Sequence, residues 1–155
     1  MASSTLSIRE RSWRSGSRRR VTPRSSRCAT ACSGCDLVTL RRWDDLERER
    51  LTGAIERRFI HGERGMIAQL WLPKGSLVPT HSHEAEQLSY VVEGHLRLWL
   101  GDDEREFDVR TGEVLVIPSN VPHRAEAIED TYDLDIFAPP RQDWIEGSDA
   151  YLRGR

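Results

Sequence analysis

From residue 54 to residue 137 the chain is cut into short runs of alternating apolar and polar residues, separated by turn residues. In the run 95–100, Leu96, Leu98 and Leu100 alternate with Arg97 and Trp99, the period of a half-buried strand. The runs 54–60, 66–72, 88–93, 104–109, 113–117, 123–128 and 131–137 read the same way, which makes eight short strands in all. His61-Gly62-Glu63-Arg64-Gly65 and Gly101-Asp102-Asp103 supply turns between them. Short strands this closely spaced predict an all-β fold, an antiparallel sandwich or barrel. A short helix is expected over 40–51, which is charged and weakly amphipathic, and a terminal helix or arm over 142–152. At 155 residues the chain is too short for a TIM barrel of about 250 residues, and no apolar run approaches the ~20 residues of a membrane helix.

Charge divides the chain into two unlike parts. Residues 1–36 hold eight Arg and nine Ser against two acids, a net +6, while the remaining 15 bases and 23 acids leave −8. A segment so basic and so poor in large apolar side chains buries too little surface to offset its ordering entropy. It is expected to be a disordered tail, an upstream extension rather than an organelle address, followed by one domain over 37–155. It lacks the apolar core of a secretory signal, so a cytoplasmic protein is expected. The overall net charge of −2 argues against nucleic acid as a partner. Cys28, Cys32 and Cys35 have the C-x3-C-x2-C spacing of the iron–sulfur motif of radical-SAM enzymes. That chemistry needs a larger barrel than this chain can build, so they read as free thiols in a reducing compartment.

Two stretches carry ligand chemistry. In the first, Gly75 leads through His81 and His83 to Gln87 and Gly94. Residues i and i+2 of an extended strand share a face, so His81 and His83 aim at one point, with the Gln87 amide oxygen within reach. In the second, Gly112 leads to Pro118, Asn120, Pro122 and His123, a proline-fixed turn that delivers a third imidazole. Several imidazoles converging in a barrel suit a divalent transition metal such as Zn, Ni, Fe or Mn.

These stretches resemble the two motifs of the cupin family, G-x5-H-x-H-x3-E-x6-G and G-x5-P-x-G-x2-H-x3-N. The resemblance implies a double-stranded β-helix, a jelly-roll barrel, with a metal at its mouth held by His81, His83, Gln87 and His123. Three positions depart from the pattern: Gln87 replaces Glu, Asn120 replaces Gly, and Ala127 replaces the final Asn. A neutral amide in place of a carboxylate leaves the full charge of the ion on the site, which makes it a stronger Lewis acid and favours anionic substrates.

A third stretch sharpens the expectation. By alternation Asp135 and Phe137 share a face, an acid and an aromatic ring suited to a sugar-sized pocket with a proton-transfer group. Arg141 follows, placed to clamp a carboxylate bidentately. The set is similar to the small cupins of pectin and alginate breakdown, which open 4,5-unsaturated uronates to linear keto-deoxyuronates. That resemblance implies a proton-transfer role for Asp135, ring packing for Phe137 and carboxylate binding for Arg141. The expected partner is a small carboxylated sugar, and the expected assembly a homodimer. Two other functions fit the same barrel: a dioxygenase using iron and O₂, and a non-catalytic module that binds a small molecule.

Overall fold

A computed structural model describes residues 39–52 and 54–153, so the basic segment 1–36 and Cys28, Cys32 and Cys35 lie outside the described residues. The compact unit that carries the fold begins at Leu40. Its strands are β1 (Glu49–Arg50), β2 (Glu56–His61), β3 (Met66–Leu72), β4 (Leu77–His81) and β5 (Glu86–Glu93). They continue with β6 (His95–Leu100), β7 (Arg105–Arg110), β8 (Val114–Ile117), β9 (His123–Ala127) and β10 (Thr131–Ala138). Two short helices close the chain, α1 (Gln142–Glu146) and α2 (Ala150–Arg153).

The strands form two antiparallel sheets. One runs β1-β2-β3-β10-β5-β8 and the other β4-β9-β6-β7. Their inward rows meet in one core that includes Ala68, Leu70 and Val91 from the larger sheet and Leu96, Leu98 and Ala125 from the smaller. This is the antiparallel all-β architecture expected from the alternation, and the jelly-roll that the resemblance implied. Each fully buried leucine contributes roughly 1.5–3 kcal/mol by leaving water. Ala127, where the motif has Asn, is one of these buried apolar residues.

Two backbone positions explain motif residues. Gly94 lies between β5 and β6 with φ of +102°, and a Cβ there would collide with the Asp130 carbonyl oxygen and with Thr131. Only glycine fits that crossing. Asn120 takes φ of 62° in the Pro-rich turn before β9, a left-handed conformation that Asn tolerates as the Gly of the motif would.

The N-terminal region departs from expectation. Instead of a helix over 40–51, the chain makes one 3-10 turn at Trp43–Asp45 and then the edge strand β1. A run this short is marginal as an isolated helix. Here the chain gains pairing of Glu49 and Arg50 with β2, and the Arg58 side chain donates to the Trp43 carbonyl at 2.7 Å. The strand around the paired histidines also ends sooner than expected. β4 stops at His81, and His83 lies in the turn that leads into β5.

Candidate metal centre

His81 and His123 stand directly opposite each other in the β4–β9 register, after an irregularity between Val78 and His81. Their ring centroids are 4.3 Å apart. The turn beyond β4 brings His83 to 5.6 Å from His81 and 5.0 Å from His123. One ring nitrogen from each lies within 4.8 Å of the others, the one group of at least three His, Cys, Asp or Glu so gathered among the described residues.

The backbone orients all three rings in the same way. Nδ1 of His81 donates to the Pro79 carbonyl at 2.9 Å, that of His83 to Ala85 at 2.8 Å, and that of His123 to Val121 at 2.8 Å. A carbonyl only accepts, so Nδ1 carries the hydrogen and each Nε2 is left with a lone pair. Burial pushes His81 down to about 3, helped by His123 and Arg141, and His83 down to about 4, helped by Arg141. Burial lowers His123 as well. At neutral pH the cluster is therefore uncharged, the state in which imidazole binds a metal.

Two observations show that these residues fit a cation. Nε2 of His123 is buried without a hydrogen-bond partner. Nε2 of His83 faces the Gln87 Oε1 at 3.1 Å, so two lone pairs point at each other unless something positive lies between them. The Gln87 amide is turned this way because its Nε2 donates to Asp135 Oδ1 at 2.7 Å. Backbone hydrogen bonds that fix each imidazole and an amide fixed by a carboxylate are the outer support that a metal site requires.

Behind Gln87 lies a pair of acids. Asp133, Asp135 and Phe137 are buried on the inner face of β10, and Gln87 and Ser89 are register partners of Phe137 and Asp135 on β5. Ser89 Oγ donates to Asp133 Oδ2 at 2.7 Å, while Asp133 Oδ1 is buried without a partner. Burial, then the neighbouring Asp133, holds the Asp135 carboxyl well above the usual carboxylate range. Burial raises Asp133 too. The sequence reading missed Asp133, although the alternation that faced Asp135 and Phe137 inward applies equally to residue 133.

Phe137 meets the ring of His83 edge-on at 5.7 Å and that of Trp144 at 5.1 Å, so it buttresses an imidazole while lining the cavity. Arg141 also lines the cavity, but its expected bidentate clamp is already in use. Nε and Nη2 donate to Asp143 at 2.9 and 2.6 Å, and Nη2 to the Tyr151 hydroxyl at 2.7 Å. The N-cap residue and an acid two positions on, in the first turn of α1, find each other before any ligand can, which leaves only Nη1 without a hydrogen bond among the described residues. Tyr151 was not foreseen. It lies on α2 and stacks on His81 with centroids 4.4 Å apart and planes inclined by 22°.

Residues 70–138 match the cupin domain family. The structure of KdgF from Halomonas sp. is similar to this one with a TM-score of 0.63 and 24% identity, over 69% of this chain and 98% of KdgF. An RmlC-like cupin from Shewanella frigidimarina NCIMB 400 gives a TM-score of 0.62 and 27% identity, over 67% of this chain and 93% of that one. The uncharacterized protein MJ1618 of Methanocaldococcus jannaschii is 32% identical over 82 residues, 49% of this chain. The match spans only 64% of that relative's length. Among the described residues no helix is long and apolar enough to cross a membrane. The motifs, the two-sheet barrel and the histidine cluster agree with this match: residues 70–138 match the cupin domain family, and the fold resembles that of KdgF.

Proposed function

We propose that the chain is a metal-dependent enzyme that opens a 4,5-unsaturated uronate, or a related sugar acid, to the linear keto-deoxyuronate. The observation that carries this reading is the buried Asp135 carboxyl joined through the Gln87 amide to the histidine cluster, on the wall of one cavity. His81, His83 and His123 are the proposed ligands of a divalent transition metal (Zn, Ni, Fe or Mn), with Gln87 Oε1 as the fourth. When bound, such an ion supplies Lewis-acid polarisation of a substrate oxygen.

The remaining chemistry falls to the side chains. In the reaction the bond between ring oxygen and anomeric carbon breaks, the anomeric hydroxyl loses its proton, and the released enol gains a proton on carbon. Composition is unchanged, so no co-reactant is needed. Asp135 suits the proton transfer because burial holds its carboxyl well above the usual carboxylate range, which favours the form that carries the proton. It gives that proton to the enol carbon and regains one from the hydroxyl. Gln87 Nε2 stabilises the carboxylate in between. Arg141 Nη1 binds the substrate carboxylate as a single donor, and Phe137 holds His83 in place.

The test is to follow loss of the conjugated enol-ether absorbance of an unsaturated uronate with metal-loaded protein. The wild-type protein accelerates it and Asp135→Ala does not. No acceleration by the wild type, or equal rates in both, overturns the reading.

A homodimer remains the proposed assembly. The outer face of the larger sheet carries Ile136, Leu88 and Val116 side by side in register, with Ile136 41% and Val116 52% exposed. An apolar row of this kind is what a second copy would cover. A solution mass of one chain would exclude it.

A further inference from the structure

The C-terminal segment is anchored more firmly than two helices of five and four residues would require. Asp149, just before α2, is 1% exposed and lies 2.6 Å from the guanidinium of Arg57, itself 0% exposed. Arg153 binds Asp149 at 2.7 Å and also pairs with Glu49. The Leu152 carbonyl accepts from both the backbone N–H and the hydroxyl of Thr52, each at 2.9 Å. Between these anchors stands Tyr151, which lines the cavity with its ring on His81 and its hydroxyl on Arg141.

The hydroxyl has a definite polarity. It accepts a hydrogen bond from Arg141 Nη2 at 2.7 Å. A guanidinium has donors and no acceptor, so the phenol cannot return its own hydrogen to Arg141. Among the described residues it donates to nothing. Arg141 Nη1 is likewise without a hydrogen bond there. Two unspent donors, one of them on a cation, therefore belong to residues that line the same cavity as His81, His123 and Asp135.

We propose that Tyr151 is a substrate-binding residue whose hydroxyl, together with Arg141 Nη1, donates to the carboxylate of the sugar acid. This rests on the function proposed above and adds a residue to it. Arg141 turns the phenol as well as contributing charge. The ion pairs of Arg57, Asp149 and Arg153 keep Tyr151 at a fixed distance from His81, so that the receptor is formed before the ligand arrives.

The experiment uses the full metal-loaded chain and two unreactive probes, galacturonate and galactose, in titration calorimetry. The wild-type protein is expected to prefer galacturonate. Tyr151→Phe keeps the ring on His81 and removes only the donor. It is expected to weaken galacturonate binding about tenfold, as loss of one hydrogen bond to a charged group does. Galactose binding and metal content stay as in the wild type. In the wild-type protein, galacturonate also perturbs the tyrosine absorption spectrum, a readout that needs no variant. Unchanged galacturonate affinity in Tyr151→Phe, or no spectral change on binding, overturns the proposal, and so does a wild type that does not distinguish the two sugars. Turnover of an unsaturated uronate, measured separately, shows whether the reaction itself stands when this inference fails.

Discussion

Two buried acid sites lie within this small barrel, and they have opposite electrostatics. Asp133 and Asp135, 2% and 5% exposed, form no ion pair among the described residues and accept side-chain hydrogen bonds from Ser89 and Gln87. Burial therefore prevails, and both carboxyls are shifted upward. Asp149 is as deeply buried, yet Arg153 and Arg57 outweigh the cost of burial and hold its carboxyl below the usual range. The Arg57 guanidinium, 2.6 Å from Asp149, adds to the attraction that Arg153 provides. The same residue type, equally hidden from water, becomes a proton holder in one place and a strut in the other. What differs is whether a guanidinium was brought along.

The largest way to break this contrast is to remove the strut. Asp149→Asn removes the carboxylate that Arg57 shares with Arg153 and leaves Arg57 with Glu49 alone, and it should cost about 3 kcal/mol in urea unfolding, the lower end for a broken buried pair. A loss under 1 kcal/mol would mean that the two sites are not different in kind. Next is Asp135→Asn, which keeps shape and hydrogen-bonding capacity. It should lower turnover of an unsaturated uronate at least about a hundredfold, the scale of general acid–base catalysis, while leaving the melting temperature unchanged or higher. Equal activity with lowered stability would assign Asp135 to the scaffold.

Metal removal is of intermediate size. Chelation should lower the stability of the loaded protein by roughly 2–3 kcal/mol at a metal concentration a hundred times its dissociation constant, and His123→Ala should abolish that difference. Protection by metal that persists in His123→Ala would place the ion elsewhere.

The smallest effect compares the two sites by pH. The raised carboxyl of Asp135 contributes stability while it is protonated, and that contribution is lost as pH rises through its folded value. The lowered carboxyl of Asp149 contributes above its ordinary value near 3.8, and that contribution is lost as pH falls through its folded value. The stability difference between wild type and Asp135→Asn should therefore tilt toward the variant as pH rises from 4. The difference between wild type and Asp149→Asn should tilt toward the variant as pH falls below 4. Parallel pH profiles from unfolding curves would contradict the comparison.

Much of the ligand-bearing region was legible from the chain alone. The spacing of His81, His83 and His123 foretold a cluster, and alternation along β10 foretold that Asp135 and Phe137 face inward while Ile136 does not. Gln87 was expected beside the imidazoles, and its Oε1 lies 3.1 Å from His83. Other features depended on which residues became neighbours. The run 40–51 held too little periodicity to show that its last residues would be drawn into an edge pairing with β2. Arg141 carried the right charge, but nothing local showed that Asp143 would occupy its fork and Tyr151 its remaining Nη2 hydrogen. Tyr151 itself lies 70 positions after His81 and had no motif to announce it.

By itself the amino-acid order determined the strand period, the turns forced by Gly94 and Asn120, and the imidazoles carried at the end of β4 and the start of β9. These follow from backbone sterics and from residues a few positions apart. The tertiary structure alone decided the charge state of the buried acids and the orientation of the phenol. A carboxyl's proton affinity depends on the groups folded around it, and here Gln87 lies 48 positions from Asp135 while Arg57 comes from the opposite end of the barrel's sequence to Asp149.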